Sequence, residues 1–349
     1  MKWYRKIIAW AMLSIMIQIC GLFILDNFVF KHSSNFSSNK IDIEKEKTKN
    51  INAYIPTGAQ DVNLSYNGKY LTYYENDVLY IEETKTGTKS EVKTEDKGTI
   101  LYHKWLSDRD RIIIAEKIEK NGESVIQLIT YNPKDSTVTY VNTICNYQKD
   151  MEVKKISEST ITGVYYIDVY KGGLKSNVYR IDINNDISKV SLQADVLGNM
   201  QVIPHEDRLV YEDEVNNKFY VTSPNKELVF NSNKNLTLLG IDREDVIYVG
   251  ELNGDKISSI IYGKVDTDTA NWTTVNLESV VNRKDIYFSN KSQILINDNL
   301  VGIVKNLTTN EEWPYDGKLL AIKEDFIATT DNKGKLSYEE INTSDSIKK

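Results

Sequence analysis

The stretch LSYNGKYLTYYENDVLYIEETKTGTK, residues 64–89, compresses three turns and three strand-like runs into 26 residues. Leu64 ends a short apolar run begun at Val62, and Tyr66-Asn67-Gly68-Lys69 is a tight turn. Tyr70, Leu71, Tyr73 and Tyr74 mark a strand, and Glu75-Asn76-Asp77 turns the chain. A further strand follows over 78–81, and Lys85-Thr86-Gly87 turns again before 90–93. Gly68 and Gly87 supply the positive φ that such turns demand. Four short antiparallel strands in succession form one blade of a β-propeller. A lone meander of this size buries too little to be stable in water, so the unit must recur.

It does recur. Residues 105–114, Trp105-Leu106-Ser107-Asp108 through Ile112-Ile113-Ile114, set under 64–73 without a gap, with Asp108 under Asn67. The same order, an apolar residue, a polar turn and an apolar triple, returns over 203–211, 241–248, 288–296 and 322–328. A copy shortened by one residue at the turn spans 156–167. First strands at Val62, Tyr102, Val153, Met200, Leu236, Ile286 and Leu319 are spaced by 40, 51, 47, 36, 50 and 33 residues. That mean is close to the propeller period of about 40–45. The fold class expected is all-β, a seven-bladed β-propeller with six blades as the alternative, preceded by one transmembrane helix. Closure favours seven. The last copy, 319–341, has three strands, and 51–55 is a strand without a blade that would complete it and leave few open edges. A two-sheet sandwich would need to hold some 27 strands, far above the usual number.

Ahead of the repeats, residues 7–25 (IIAWAMLSIMIQICGLFIL) run 19 positions without a charge. As a helix this covers about 28 Å, one bilayer core. Lys2, Arg5 and Lys6 precede it and Asp26 follows, so the positive-inside rule leaves 1–6 in the cytoplasm and the rest outside. A cleaved signal peptide would have a shorter apolar run closed by a small-x-small site, and none closes this one. Bulky Ile19 before Cys20 argues against a lipoprotein. Residues 26–50 read as a polar stalk, 51–341 as the propeller and 342–349 as a polar tail.

In the full chain of 349 residues, 22 Tyr and 5 Pro favour half-buried strands over disorder. Net charge is −7, with no basic block outside the N-terminus, which argues against a nucleic-acid partner. Heavy use of Lys, Asn and Ile with little Arg fits an AT-rich bacterial genome. Cys20 and Cys145 are too far apart to suggest a disulfide and too few for a zinc site.

The blades resemble the propellers of the TolB and dipeptidyl-peptidase IV N-terminal type, which are WD40-like. Their usual unit reads W-S-P-D-G-K-x-I-A-Y, then L-Y-V-x-D-x-x-T-G-K. Ser65, Asn67, Gly68 and Tyr73 match its first half, Tyr80 and Gly87 its second, and Trp105 with Asp108 forms a worn second copy. The remaining blades keep the strand rhythm and lose the signature. These eight residues are expected to be structural, with Tyr73 and Tyr80 packing blades. Peptidases of that type need an α/β-hydrolase domain with a G-x-S-x-G elbow, and no such stretch exists here. The resemblance implies a binding platform.

No chemistry stands out. His32 falls in the stalk, while His103 and His205 fall at first strands or the turns after them, with no motif to assemble a triad. Asp182-Ile183-Asn184-Asn185-Asp186 lacks the glycine of a calcium loop, and the run 266–270 loses its third ligand to Ala270. Glu212-Asp213-Glu214 and Asp242, Glu244 and Asp245 read as solvated turns. Trp105, Trp272 and Trp313 read as blade packing ahead of sugar platforms. No catalytic, cofactor or metal residue is assigned. The function expected is a non-catalytic, membrane-anchored extracytoplasmic module that binds an envelope or membrane protein. Binding of a wall or export glycan is the alternative, and a hydrolase-type site in the central channel is a second one. Exposed Trp and Tyr on one ring face would favour glycan, and a small apolar patch with a charged rim would favour protein.

Overall fold

The computed structural model describes residues 2–24, 50–94 and 98–341. It divides into two units, 1–47 and 48–349. The stalk assigned to 26–50, save Asn50, and the tail at 342–349 lie outside the described residues.

In the first unit a single helix spans Lys2–Ile24. It begins five residues ahead of the apolar run, so the basic residues occupy its first turns. Every side chain described on it is exposed, including Trp3, Trp10, Leu22 and Phe23. A core helix of a soluble domain buries one face. None of the described side chains of this helix is buried, and it is long and apolar enough to cross a membrane.

The second unit is a seven-bladed β-propeller. Among the described residues 27 strands form seven antiparallel sheets, six of four strands and one of three, each a simple up-and-down meander. The blades span 60–91, 99–146, 152–189, 197–228, 236–282, 286–314 and 318–340. The first strands, Gln60–Leu64, Thr99–Trp105, Glu152–Ser159, Leu197–Val202, Leu236–Ile241, Ile286–Phe288 and Lys318–Ile322, surround the central channel. Each first-strand residue named from the repeat falls within one of them. Uneven spacing has a local cause: blade 2 carries long strands, Ile112–Lys120 and Glu123–Asn132, while the second strands of blades 4 and 6 have only five residues.

Ring closure uses the segment before blade 1. Tyr54 bridges Lys335, the Ile55 N–H donates to the Gly334 carbonyl at 2.8 Å, and the Leu336 N–H donates to the Ala53 carbonyl at 3.1 Å. The same segment reaches blade 1, where the Asn52 N–H donates to the Thr84 carbonyl at 2.9 Å. The three-stranded last blade thereby gains its outer edge.

The core consists of seven clusters, one per blade interface. Ile112 and Ile114 point toward blade 1, packing on Tyr70, Leu79 and Ile81. Ile113 and Ala115 point toward blade 3, packing on Val153, Ile156 and Ile167. Side chains alternate along a strand, so a strand covered on both faces must be apolar at every position. This is why the repeat reads as an apolar triple instead of an alternation. The last cluster joins Ala328 and Leu336 of blade 7 to Leu64, Leu71 and Tyr73 of blade 1, with Ala53 between them.

Candidate functional site: the central channel

The residues of the blade motif hold turns and interfaces. The Ser65 hydroxyl donates to the Asn67 side-chain oxygen at 3.1 Å and accepts the Tyr70 N–H at 3.1 Å. Asn67 also accepts the Lys69 N–H at 2.9 Å and donates to Asp110 of blade 2 at 2.9 Å. Gly68 sits at φ 75°, where an added Cβ would stand 2.6 Å from the Phe326 ring of blade 7. Gly87, at φ 72°, presses against the Asn52 carbonyl. The Tyr73 hydroxyl donates to Glu82 at 3.1 Å, and the Tyr80 ring lies 6.2 Å from that of Tyr73. Trp105 donates to the Thr72 hydroxyl at 3.0 Å and stacks on Tyr70 across the blade 1–2 interface. Asp108 pairs with Arg109 at 2.7 Å, and that hydrogen bond holds its carboxyl below the usual range.

The other polar runs are also structural. Asp182 accepts the N–H groups of Asn184 and Asp186, and Asp268 accepts that of Ala270, closing Asx turns. Trp105, Trp272 and Trp313 are all buried. His103 and His205 do not meet: His103 is buried 3.5 Å from Asp61, its basicity lowered by burial, whereas His205 is bound to Asp245 at 3.0 Å. Among the described residues no three His, Cys, Asp or Glu gather to hold a metal.

The reading of the acidic clusters as solvated turns holds for Glu214 and Glu244, which are exposed, and needs correction for Glu212, Asp213 and Asp242. Glu212 and Asp213 lie on the second strand of blade 4, Leu209–Asp213, and both are buried. Asp242 is buried too, accepting the Tyr248 hydroxyl at 2.7 Å. Glu212 joins blades 4 and 5. Its Oε1 accepts the Asn199 N–H at 2.7 Å and the Asn199 amide at 2.6 Å. Its Oε2 accepts the Leu238 N–H at 2.6 Å and the Thr237 hydroxyl at 3.3 Å.

Counting from the last first-strand pairing of each blade exposes a second periodic feature. The residue four places into the second strand is Glu75, Glu116, Asp168, Asp213, Glu251, Asp298 and Asp331 in blades 1 to 7. In blades 1, 4 and 6 it is the last residue of the second strand and in blade 7 the residue after it, whereas in blades 2, 3 and 5 the strand runs on past it. In blades 4, 6 and 7 the carboxylate accepts N–H groups of that turn. In blades 2 and 5 it binds a side chain of the third strand, Gln127 or Ser259. In blade 1 it pairs with Lys89.

Charged groups that the repeat did not single out lie on the first strands or beside their ends. Lys104 of blade 2 donates to Glu158 of blade 3 at 2.7 Å, and this pair outweighs burial to hold Lys104 above its usual basicity. Lys155, also on a first strand, makes no hydrogen bond or ion pair among the described residues. Burial, with Lys104 and Arg283 nearby, pushes its ammonium down to about 8. Arg283, in the tight turn entering blade 6, donates to the Leu238 carbonyl of blade 5. Lys323 donates to the Leu64 carbonyl at 3.1 Å, and burial brings it to about 8 as well. For Lys104 and Lys155 the only available sequence signal was a lysine within a first strand, which local pattern does not separate from a solvated one.

No protein-family model and no curated protein matches the chain. Solved propellers share its fold. A chain of the mitotic checkpoint complex aligns at a TM-score of 0.54 and 13% identity, covering 84% of this chain and 90% of that one. The Swd1 β-propeller domain of Myceliophteria thermophila aligns at 0.52 and 11%, covering 84% and 99%. The virginiamycin B lyase of Staphylococcus aureus aligns at 0.51 and 14%, covering 82% and 95%. At these identities the likeness concerns the fold alone.

Proposed function

We propose that this chain is a membrane-anchored propeller acting as a non-catalytic interaction module outside a bacterial cytoplasmic membrane, where it binds another envelope or membrane protein. The carrying observation is the placement of exposed apolar side chains. Leu174, Val215, Leu300 and Val301 are 65%, 65%, 99% and 65% exposed, at the turns between second and third strands of blades 3, 4 and 6. In an up-and-down ring these turns share one face. Exposed apolar tips among charged residues suit a protein partner. The three propeller tryptophans are buried, and the propeller's exposed tyrosines are scattered over the segment before blade 1 (Tyr54), a blade 1 turn (Tyr66) and the outer strand of blade 2 (Tyr140), which counts against the glycan reading. The apolar helix with Lys2, Arg5 and Lys6 at its start supports the anchor and its orientation.

The test is crosslinking in intact cells followed by membrane pull-down. It compares the intact chain, a chain without the propeller, and a Leu174→Asp/Val215→Asp/Leu300→Asp variant. Surface changes of this kind leave stability within about 0.5 kcal/mol. Partners recovered with the intact chain should be lost from both variants and retained by Ile161→Asp/Ile183→Asp on the opposite face. Recovery of the same partners without the propeller would assign the interaction to the helix.

A further inference from the structure

The channel carries a surplus of hydrogen-bond donors. Lys155 presents three N–H donors and Arg283 five, and the only acceptor bound to either among the described residues is the Leu238 carbonyl. The neighbouring carboxylates are engaged elsewhere. Glu158 is taken by Lys104, and Glu212 is filled by four donors from Asn199, Thr237 and Leu238. Asp168 lies across the ladder from Lys155 but does not bond to it. Its Oδ1 is buried without a partner, and burial raises its pKa. Lys155 is only partly buried, so its ammonium remains in reach of the channel solvent.

The three cations come from separate parts of the ring: Lys104 from blade 2, Lys155 from blade 3 and Arg283 from the entry to blade 6. Lys104 and Arg283 are the cations acting on Lys155, and Glu212 and Asp168 act on it in the opposite sense. A partly desolvated ammonium without an acceptor destabilises the fold, and a bound anion would remove that cost. We infer that the channel holds an oxyanion, a carboxylate or a tetrahedral phosphate- or sulfate-like group, bound by Lys155 and Arg283 with Lys104 beside them. The site stands on the channel's own donors and does not rest on the interaction-module reading. It can take a free small anion or an acidic side chain of a docked protein.

The experiment is calorimetric titration of the detergent-solubilised full chain in low-chloride buffer with sodium sulfate, sodium acetate and a hexaglutamate peptide. At pH 7 at least one probe should bind, and Lys155→Gln should weaken it at least tenfold while Lys284→Gln, an exposed neighbour, leaves it unchanged. Raising the pH through 8 discharges Lys155, so affinity should fall between pH 7 and 9.5. Peptide binding tighter than acetate assigns the site to a protein side chain. Sulfate or acetate binding without that preference assigns it to a small ion. In anion-free buffer Lys155→Gln should melt no lower than the parent. Absence of binding by all three probes, binding indifferent to Lys155→Gln, or a lowered melting point that marks Lys155 as a structural partner of Asp168 would each overturn the site.

Discussion

Lys155 and Lys323 make the stability of the ring depend on pH in a direction unusual for lysine. Both fall from an ordinary 10.5 to about 8, burial being the first cause. Below pH 8 the folded chain carries both charges at full cost. Between 8 and 10.5 the unfolded chain still holds protons that the folded chain has released, so stability rises with pH. Each lysine should contribute about 1–2 kcal/mol between pH 7.5 and 9.5. Above pH 10 the buried tyrosines oppose this: Tyr73, Tyr166 and Tyr248 titrate higher when folded, chiefly because of burial. Urea midpoints at pH 7.5 and 9.5 should therefore increase, and Lys323→Met combined with Lys155→Gln should flatten the difference. A parent midpoint that declines over this window would mean that neither ammonium is desolvated.

At the scale of the element, the closing strand depends on a turn glycine in blade 7. Gly334 has φ 83°, and an added Cβ would collide with the Ile55 carbonyl oxygen, which belongs to backbone and cannot swing aside. Gly254, in the corresponding turn of blade 5, has φ 63° and open space around it. Gly254→Ala should cost only the left-handed strain, about 1–2 kcal/mol. Gly334→Ala should cost about 3 kcal/mol or more, because relief of the clash separates 53–55 from the last blade. Thermal melts of the two variants measure the difference, and equal losses would show that closure adds little. The closing strand could be read in the sequence because 51–55 was apolar and unassigned while the last copy was one strand short. The acid at a fixed register position of every second strand escaped the same reading. First and second strands are joined over seven residues in blades 1, 2 and 4 but five in blades 3 and 7. An ungapped comparison slips before it reaches that position. The channel was less legible still, since Lys155 and Arg283 are remote in sequence and only the ring brings them together.

The propeller as a whole differs from an open repeat array in that its first and last blades are bonded through 52–55. In a linear solenoid each unit touches only its neighbours, and a local defect can stay local. Here the seven interface clusters form a circuit, and 51–55 touches blade 7 and blade 1 together. Loss of one interface therefore opens the ring and deprives every other blade of closure. Buried tryptophans report from separate sectors: Trp105 between blades 1 and 2, Trp272 between 4 and 5, and Trp313 between 6 and 7. Ile114 packs in the first of these sectors, and Ile114→Ala should destabilise by about 2–5 kcal/mol. If the ring unfolds as one unit, this substitution lowers the urea midpoint by the same amount whether Trp105 or Trp313 is the probe, each kept as the only propeller tryptophan. A Trp313 midpoint that stays at the parent value while that of Trp105 falls would make the ring behave as a chain of independent blades. The closing strand would then serve only to cover an edge.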